Sequence, residues 1–233
     1  MALFTLAVIT TASPSAASPS AASPSAPLPS VASSSVASPP PALSGKLLTG
    51  KDVPAAYEAA AEDPFAHVLE VLFDPGSNAG VECRLPVEVP RAGFTPGHSV
   101  SAVFVTKPTY WLDVKSLTQV VAEPGRSRAR ALVDAAAALP QRCPKIDTPG
   151  YTMMLKPMTL PALGDRSAAF TVDVMVKAVG MDNAYVDAML GEVSVVSRRG
   201  VTSVVILMGY SFLDHVSELP AVTRKAAARL TAA

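Results

Sequence analysis

Two cysteines are the residues of this chain whose type and number most directly indicate chemistry. Cys83 and Cys143 are the only cysteines, so they allow one intramolecular disulfide. No further Cys or His flanks either of them at the spacing of a zinc site. In an exported protein we expect the pair to be joined, closing a loop of about 60 residues and contributing on the order of 3–4 kcal/mol in the chain-entropy model. Two buried free thiols are the alternative.

Acid–base and nucleophilic candidates are scattered along the chain. His67, His98 and His215 are too far apart in sequence to indicate a metal site. There is no G-x-S-x-G, P-loop or G-x-G-x-x-G motif, so we expect no catalytic residues, no cofactor and no bound metal. One enzymatic alternative stays open, a hydrolase with a degenerate site that uses residues such as His98, Asp113 or Ser116.

Large apolar side chains offer a second kind of site, one that binds without reacting. Tyr110 and Trp111 form the strongest aromatic pair, which either lines a cleft or anchors a strand in the core. Met153, Met154 and Met158 form a flexible apolar patch that either lines an adaptable groove or fills the core. For both groups core packing is the simpler interpretation, so the sequence does not identify ligand-binding residues.

Composition excludes some partners. The 19 Lys and Arg residues balance 19 Asp and Glu residues, and the formal net charge is +0 at pH 7. No basic surplus exists to neutralise phosphates, so we expect no nucleic acid partner, and no Lys/Arg cluster along the sequence suggests binding to anionic lipid. Hydrophobic residues make up 49% of the chain and aromatic residues 6%, which predicts an aliphatic core.

The N-terminal residues 1–11 form an apolar segment. Its run Leu3–Ile9 is short for a secretory signal, no Lys or Arg precedes it, and it falls well below the roughly 20 residues needed to span a bilayer. Three interpretations stay open: a signal or anchor whose basic front is missing because the start codon was assigned too late, a short functional signal, or a disordered tail. No Cys precedes Cys83, so lipid anchoring is not supported, and membrane contact would require this segment.

Residues 12–45 are rich in Ala, Ser and Pro, and the first charged side chain is Lys46. Pro breaks helices and central strands, while Ser and Ala bury little surface, so we expect a disordered linker here. Residues 46–233 then form the folded domain. An apolar segment, a neutral spacer and a domain with one cysteine pair together indicate an extracellular or envelope-associated protein.

The apolar patterns within residues 46–233 predict an α+β architecture, a twisted antiparallel sheet with helices packed on it and one cleft. Strands are expected, from alternating or continuous apolar residues, at 100–104, 111–121, 151–160, 170–176, 191–197 and 204–208. Helices are expected at 54–61, 126–139 and 217–230, and 65–73 suits either state. The apolar run 204–208 predicts the most buried strand, and Arg198-Arg199-Gly200 predicts a tight turn before it.

This order of elements resembles the PknH-like extracellular sensor domain family of actinobacteria, which includes sensor domain-containing secreted proteins and lipoproteins. Four stretches carry the resemblance: Leu47–Tyr57, with its Leu-Leu-Thr and Asp-Val-Pro; Ala129–Cys143; Leu163-Gly164-Asp165 with the strand Ala168–Val172; and the segment from Arg198-Arg199-Gly200 through Tyr210 to the last helix. Three departures are Arg166, where the family often has an acidic residue, a single possible disulfide instead of two, and an apparent insertion at 178–190.

The resemblance implies a function but no catalytic residues. It implies an exported, non-catalytic ligand- or partner-binding domain of the sensor type, whose partner is an unidentified extracellular small molecule or envelope component. A secreted hydrolase and a structural cell-wall-binding protein are the alternatives. No kinase domain is present on this chain, so sensing would not be relayed by its own catalysis.

Overall fold

Eight strands form one antiparallel sheet in the computed structural model, which describes residues 41–73, 83–85, 99–107, 114–178, 185–210 and 217–231. The strands are β1 Tyr57–Ala60, β2 Ser99–Thr106, β3 Lys115–Ala122, β4 Lys145–Asp147, β5 Tyr151–Met158, β6 Arg166–Lys177, β7 Tyr185–Arg198 and β8 Val201–Tyr210. The helices are α1 Pro41–Ser44, α2 Ala66–Phe73, α3 Arg126–Arg142 and α4 Leu219–Arg229. Across the sheet the order is β1-β2-β3-β8-β7-β6-β5-β4, with every neighbouring pair antiparallel. The predicted α+β fold is confirmed.

Helices cover both faces of the sheet. On the first face, α2 and α3 pack over alternate residues of the strands: Val120, Phe170, Val172, Val193, Val195, Val204 and Ile206. On the second face, α4 and the N-terminal segment pack over the intervening residues: Leu117, Ala169, Val205 and Leu207. Strand β8 is buried on both faces from Val201 to Gly209, so the prediction that it is the most buried strand is confirmed.

The predicted tight turn joins β7 to β8. Arg198 pairs with Val201, which leaves Arg199 and Gly200 as the two loop residues. Their φ values are 51° and 91°, the left-handed conformation that a two-residue type I′ hairpin turn requires at both positions. Gly tolerates this conformation without strain, and the twist of such a turn matches the twist of the two strands.

Buried polar groups fasten the N-terminal segment to the second face. The side chain of Gln119 is fully buried on β3. Its Oε1 accepts a hydrogen bond from Leu48 N at 2.6 Å, and its Nε2 donates to Ser203 Oγ at 2.9 Å. Because both ends of the amide are used, this polar residue satisfies a buried backbone donor of a segment that lacks regular structure.

A cluster of polar and charged side chains joins the N-terminal segment to α4. Asp52 Oδ2 accepts hydrogen bonds from Thr49 N at 2.8 Å and from Thr49 Oγ1 at 2.7 Å. The guanidinium of Arg229 donates to the same oxygen at 2.6 Å. Burial raises the pKa of Asp52, but the Thr49 and Arg229 donors outweigh it, so the pKa lies below its usual value.

The prediction of a helix at 54–61 is wrong. Residues Tyr57–Ala60 form β1, the edge strand beside β2, with Tyr57 opposite Thr106. The Ala-rich composition favours a helix locally, but pairing with β2 and burial of the Tyr57 ring on the second face decide the outcome.

Four smaller differences concern element boundaries. Residues 65–73, left open between helix and strand, contain α2. Strand β7 begins at Tyr185, so the apparent insertion at 178–190 contains its first residues. Helix α4, expected from residue 217, begins at Leu219 after the N-cap Glu218, and Ser217 Oγ donates to Glu192 Oε2 at 2.7 Å. Leu43, within the predicted linker 12–45, is buried in the core.

Candidate functional site

An apolar cavity of about 280 Å³ opens at one end of the sheet, on the face that α2 and α3 cover. We term it the end pocket, and its lining residues are Pro64, Phe65, His67, Val114, Tyr151, Val176, Met189 and Tyr210. Phe65 and Met189 are buried and form its floor, whereas the remaining side chains are half-buried or exposed. The volume is just below the ~300–1,000 Å³ typical of small-molecule sites.

Antiparallel pairing brings the lining residues to one sheet end. Tyr151, at the start of β5, lies opposite Val176, near the end of β6. Met189 of β7 lies opposite Tyr210, the last residue of β8. Because neighbouring antiparallel strands run in opposite directions, residues from strand starts and strand ends meet at the same edge. The pocket is therefore a product of topology rather than of one local motif.

The remaining wall is the start of α2, held by Asp63. Asp63 Oδ1 accepts a hydrogen bond from Phe65 N at 2.9 Å, and Asp63 Oδ2 accepts one from Thr118 Oγ1 at 2.5 Å. The first contact satisfies a backbone donor at the helix start, and the second ties that turn to β3. This anchoring positions the Phe65 and His67 side chains over the strand ends.

Two ring contacts define the shape of the pocket. Phe65 and Tyr210 meet edge to face, with ring centroids 5.6 Å apart and an interplanar angle of 71°. His67 and Tyr151 are tilted by 46° at a centroid distance of 6.2 Å. Aromatic side chains have few rotatable bonds, so they offer rigid apolar area together with the polar edge of a phenol or imidazole. The arrangement suits a flat or branched apolar group.

The chemistry available in the end pocket is binding chemistry. Its lining residues include no carboxylate, thiol, Ser or Thr, and His67 is the single base among them. A nucleophile–base pair of the kind that hydrolases use is therefore not formed by these residues. The pocket can exclude water from an apolar ligand and offer it imidazole and phenol hydrogen-bonding groups.

The disulfide supports α2, the helix whose start forms one wall of the end pocket. Cys83 is joined to Cys143, the residue that follows α3. Leu85, two residues after Cys83, is buried, and its N–H donates to Leu72 O of α2 at 3.0 Å. The bridge thus connects the end of α3 to the chain that packs against the end of α2, which supports the helix that walls the pocket.

Of the three residues that the sequence suggested for a hydrolase site, the structure describes only Ser116. Ser116 is fully buried on β3 beside Met208, and its hydroxyl has no partner among the described residues, so no base activates it there. Its suggested hydrolase partners His98 and Asp113 lie outside the described residues, as do His215, Tyr110, Trp111, and residues 1–40 of the apolar segment and linker.

The methionine patch divides between the two faces. Met153 is fully buried in the core under α3, as the packing interpretation predicts, and Met158 packs on the opposite face. The methionine of the end pocket is Met189, from the segment that the sequence presents as an insertion. His67, Tyr151 and Tyr210 are also lining residues that the sequence analysis did not assign to a site; aromatic residues at predicted strand ends were the available signal.

Among the described residues, no group of three or more His, Cys, Asp or Glu side chains is arranged to hold a metal ion. No helix among these residues combines the length and apolar character needed to cross a bilayer.

A solved structure, the extracellular domain of PknH from Mycobacterium tuberculosis, is similar to this chain in overall course. The TM-score is 0.48 at 13% sequence identity, and the match covers 81% of this chain and 94% of that chain. No family model matches the sequence. No curated protein matches it at a significant level. That domain belongs to the family that the sequence motifs resemble, but a likeness of this degree carries no argument about ligand, partner or activity.

Proposed function

We propose that this protein is an exported, non-catalytic binding domain that holds a small, largely apolar molecule in the end pocket. The observation that carries the proposal is the pocket itself, a cavity of about 280 Å³ with a buried Phe65 and Met189 floor and a rim of Tyr and His rings. An apolar pocket with a few convergent polar groups is the usual form of a small-molecule site.

The chemistry of the rim defines the class of ligand. No charged carboxylate or ammonium group lines the pocket, so an ion would lose hydration without gaining a partner. The ligand is therefore uncharged over its buried part and carries a hydrogen-bonding group that reaches Tyr151 or His67. A small molecule or an envelope component with such an end fits this description.

The disulfide supports a place outside the cytoplasm. Disulfides persist in oxidising compartments and are reduced in most cytosols. Here the Cys83–Cys143 bridge stabilises the element that walls the pocket, so binding and oxidation are linked. An extracellular or envelope-associated sensor-type domain combines these features.

The proposal is tested with N-phenyl-1-naphthylamine, an uncharged probe whose fluorescence rises in apolar sites. Val176→Trp fills the pocket from β6, and we expect it to weaken probe binding at least tenfold. The matched control is Met175→Trp, which adds the same ring one residue earlier, on the opposite face of the strand, and should change binding less than twofold.

Folding of both variants is checked by circular dichroism, and Val176→Phe provides a smaller filling group if the Trp variant does not fold. Equal binding by wild type, Val176→Trp and Val176→Phe would contradict the proposal. So would the absence of saturable binding by the wild type.

A further inference from the structure

A second cavity of about 260 Å³ lies at the other end of the sheet. We term it the arginine pocket; it is lined by the start of α3, the β7–β8 turn and the residues before β6, through Arg126, Arg130, Asp165, Ser197, Arg199 and Gly200. Ser197 and Met189 are eight residues apart on β7, which places the two pockets roughly 26 Å apart at ~3.3 Å per residue. The arginine pocket is therefore independent of the end pocket.

The start of α3 lines this pocket, and the first amides of a helix have no partner within the helix. No side chain caps the helix, and its first backbone bond within the described residues is Ala129 N to Gly125 O at 2.9 Å. A Cβ at Gly200 would lie 3.0 Å from Arg126 N, so the turn packs directly on the first helical residue. The N-terminal amides and the helix dipole together favour negative charge at this place.

The side chains at this helix start have the opposite charge from the one the dipole favours. The first turn of α3 contains no acidic residue and begins with Arg126. Within the described part of the chain, the guanidinium groups of Arg126, Arg130 and Arg199 form no ion pair. Asp165 is the single carboxylate in the pocket, and its Oδ2 already accepts a hydrogen bond from Arg199 N at 2.8 Å. Three cations and the dipole are therefore opposed by one anion.

Ser197 provides an independent indication of a ligand. It lines the arginine pocket from β7, yet the residue is 2% exposed and its hydroxyl has no hydrogen-bond partner among the described residues. Its side chain lies on the α3 face, two residues after Val195, which packs in the core below α3. Buried hydroxyls are normally paired, so an unpaired hydroxyl beside three arginines indicates a missing acceptor.

We propose that the arginine pocket binds a phosphate group. Its oxygens would accept hydrogen bonds from the planar guanidinium groups, from the first amides of α3 and from Ser197 Oγ. Charge-assisted bonds of this kind are stronger than neutral ones and match the several acceptor oxygens of a phosphate. The group is either free inorganic phosphate or a phosphomonoester carried by a larger molecule.

The proposal is tested by calorimetric titration of the full chain at low ionic strength with inorganic phosphate and, separately, with glycerol phosphate. Arg130→Gln should weaken binding of both at least fivefold. The matched control is Arg128→Gln, an exposed arginine of the same helix turn that does not line the pocket, and it should change binding less than twofold. Tighter binding of glycerol phosphate would identify an ester as the source, and tighter binding of inorganic phosphate would identify the free ion.

Ser197→Ala separates a binding role from a structural one. Without phosphate, removal of an unpaired buried hydroxyl should leave the midpoint of thermal unfolding unchanged or raise it. With phosphate, the same variant should bind at least threefold more weakly than the wild type. The proposal is overturned if neither phosphate compound binds, or if Arg128→Gln and Arg130→Gln weaken binding equally.

Discussion

Gly164 occupies a position that a larger residue cannot take without moving the backbone. Its φ of 65° lies in the left-handed region, and an added Cβ would lie 2.5 Å from Ser197 O and 2.9 Å from Val196 Cγ1. Ser197 O also accepts a hydrogen bond from Asp165 N at 2.8 Å. The Leu-Gly-Asp motif thus holds the chain before β6 against the β7 end of the hairpin.

The cost of Gly164→Ala has two parts. The left-handed conformation costs an Ala residue about 1 kcal/mol more than a Gly residue. Moving Cβ out to the shortest contact that real structures show, about 3.0 Å, displaces the Ser197 carbonyl and weakens its bond from Asp165 N, a further cost of about 1–1.5 kcal/mol. We therefore expect Gly164→Ala to lower the free energy of unfolding by about 2–3 kcal/mol.

Two other glycines serve as comparisons. Gly125 has a φ of 86° and a ψ of 162°, a conformation almost restricted to glycine, but no atom lies within 4 Å of an added Cβ, so Gly125→Ala should show a conformational cost without a steric one, about 1–3 kcal/mol. Gly150 has neither a positive φ nor a neighbour within 4 Å, so Gly150→Ala should be neutral or stabilising by under about 1 kcal/mol.

Urea unfolding followed by circular dichroism measures all three variants. With a slope of about 2 kcal/mol per molar urea, the midpoint for Gly164→Ala should fall by roughly 1–1.5 M and the midpoint for Gly125→Ala by about 0.5–1.5 M. A midpoint for Gly164→Ala equal to that of Gly150→Ala would refute the close approach of this turn to the Ser197 carbonyl.

Two other perturbations address the disulfide and the charged cluster. Replacing Cys83 and Cys143 together by Ser should lower the free energy of unfolding by about 4 kcal/mol, the chain-entropy value for a sequence separation of 60, and a loss below 1 kcal/mol in urea unfolding would contradict this. Because the pKa of Asp52 is lowered in the folded state, its contribution is complete above its ordinary pKa of 3.8 and is lost as the pH falls through the lowered folded value. Asp52→Asn should therefore cost about 1–2 kcal/mol at neutral pH, through weaker bonds to Thr49 and Arg229, and the difference from wild type should shrink below pH 3.8; a difference that grows toward low pH would be incompatible with this pairing.

Strong apolar periodicity made much of the sheet predictable. The core strands β6 and β8 and the helix α3 each carry an apolar pattern long enough to indicate their type, and α3 begins at Arg126 as expected. Strand β1 was not predictable because the Ala residues around Tyr57 favour a helix, and pairing with β2 overrides that preference. The first part of β7 has no comparable apolar run, so its pairing with β6 becomes visible only in the folded chain.

The two pockets were harder to predict than the sheet. Phe65, Tyr151 and Tyr210 lie far apart in sequence and meet only because the strand order brings their ends together. Arginines are close together in sequence at 126–130 and at 198–199, but the approach of Arg199 to Arg126 depends on the packing of the β7–β8 turn on α3 and could not be predicted from either group alone. The disulfide could be predicted without such information, because two cysteines allow only one intramolecular bridge.

The most direct test of ligand binding in the end pocket is carbon–proton NMR of the methionine methyl groups during titration with N-phenyl-1-naphthylamine. Met189 lines the pocket, whereas Met175 lies on the opposite face of the neighbouring strand. We expect the Met189 methyl resonance to shift saturably, with the dissociation constant measured by fluorescence, while the Met175 resonance stays in place. Saturable probe binding that leaves Met189 unshifted would contradict the assignment of the end pocket as the binding site.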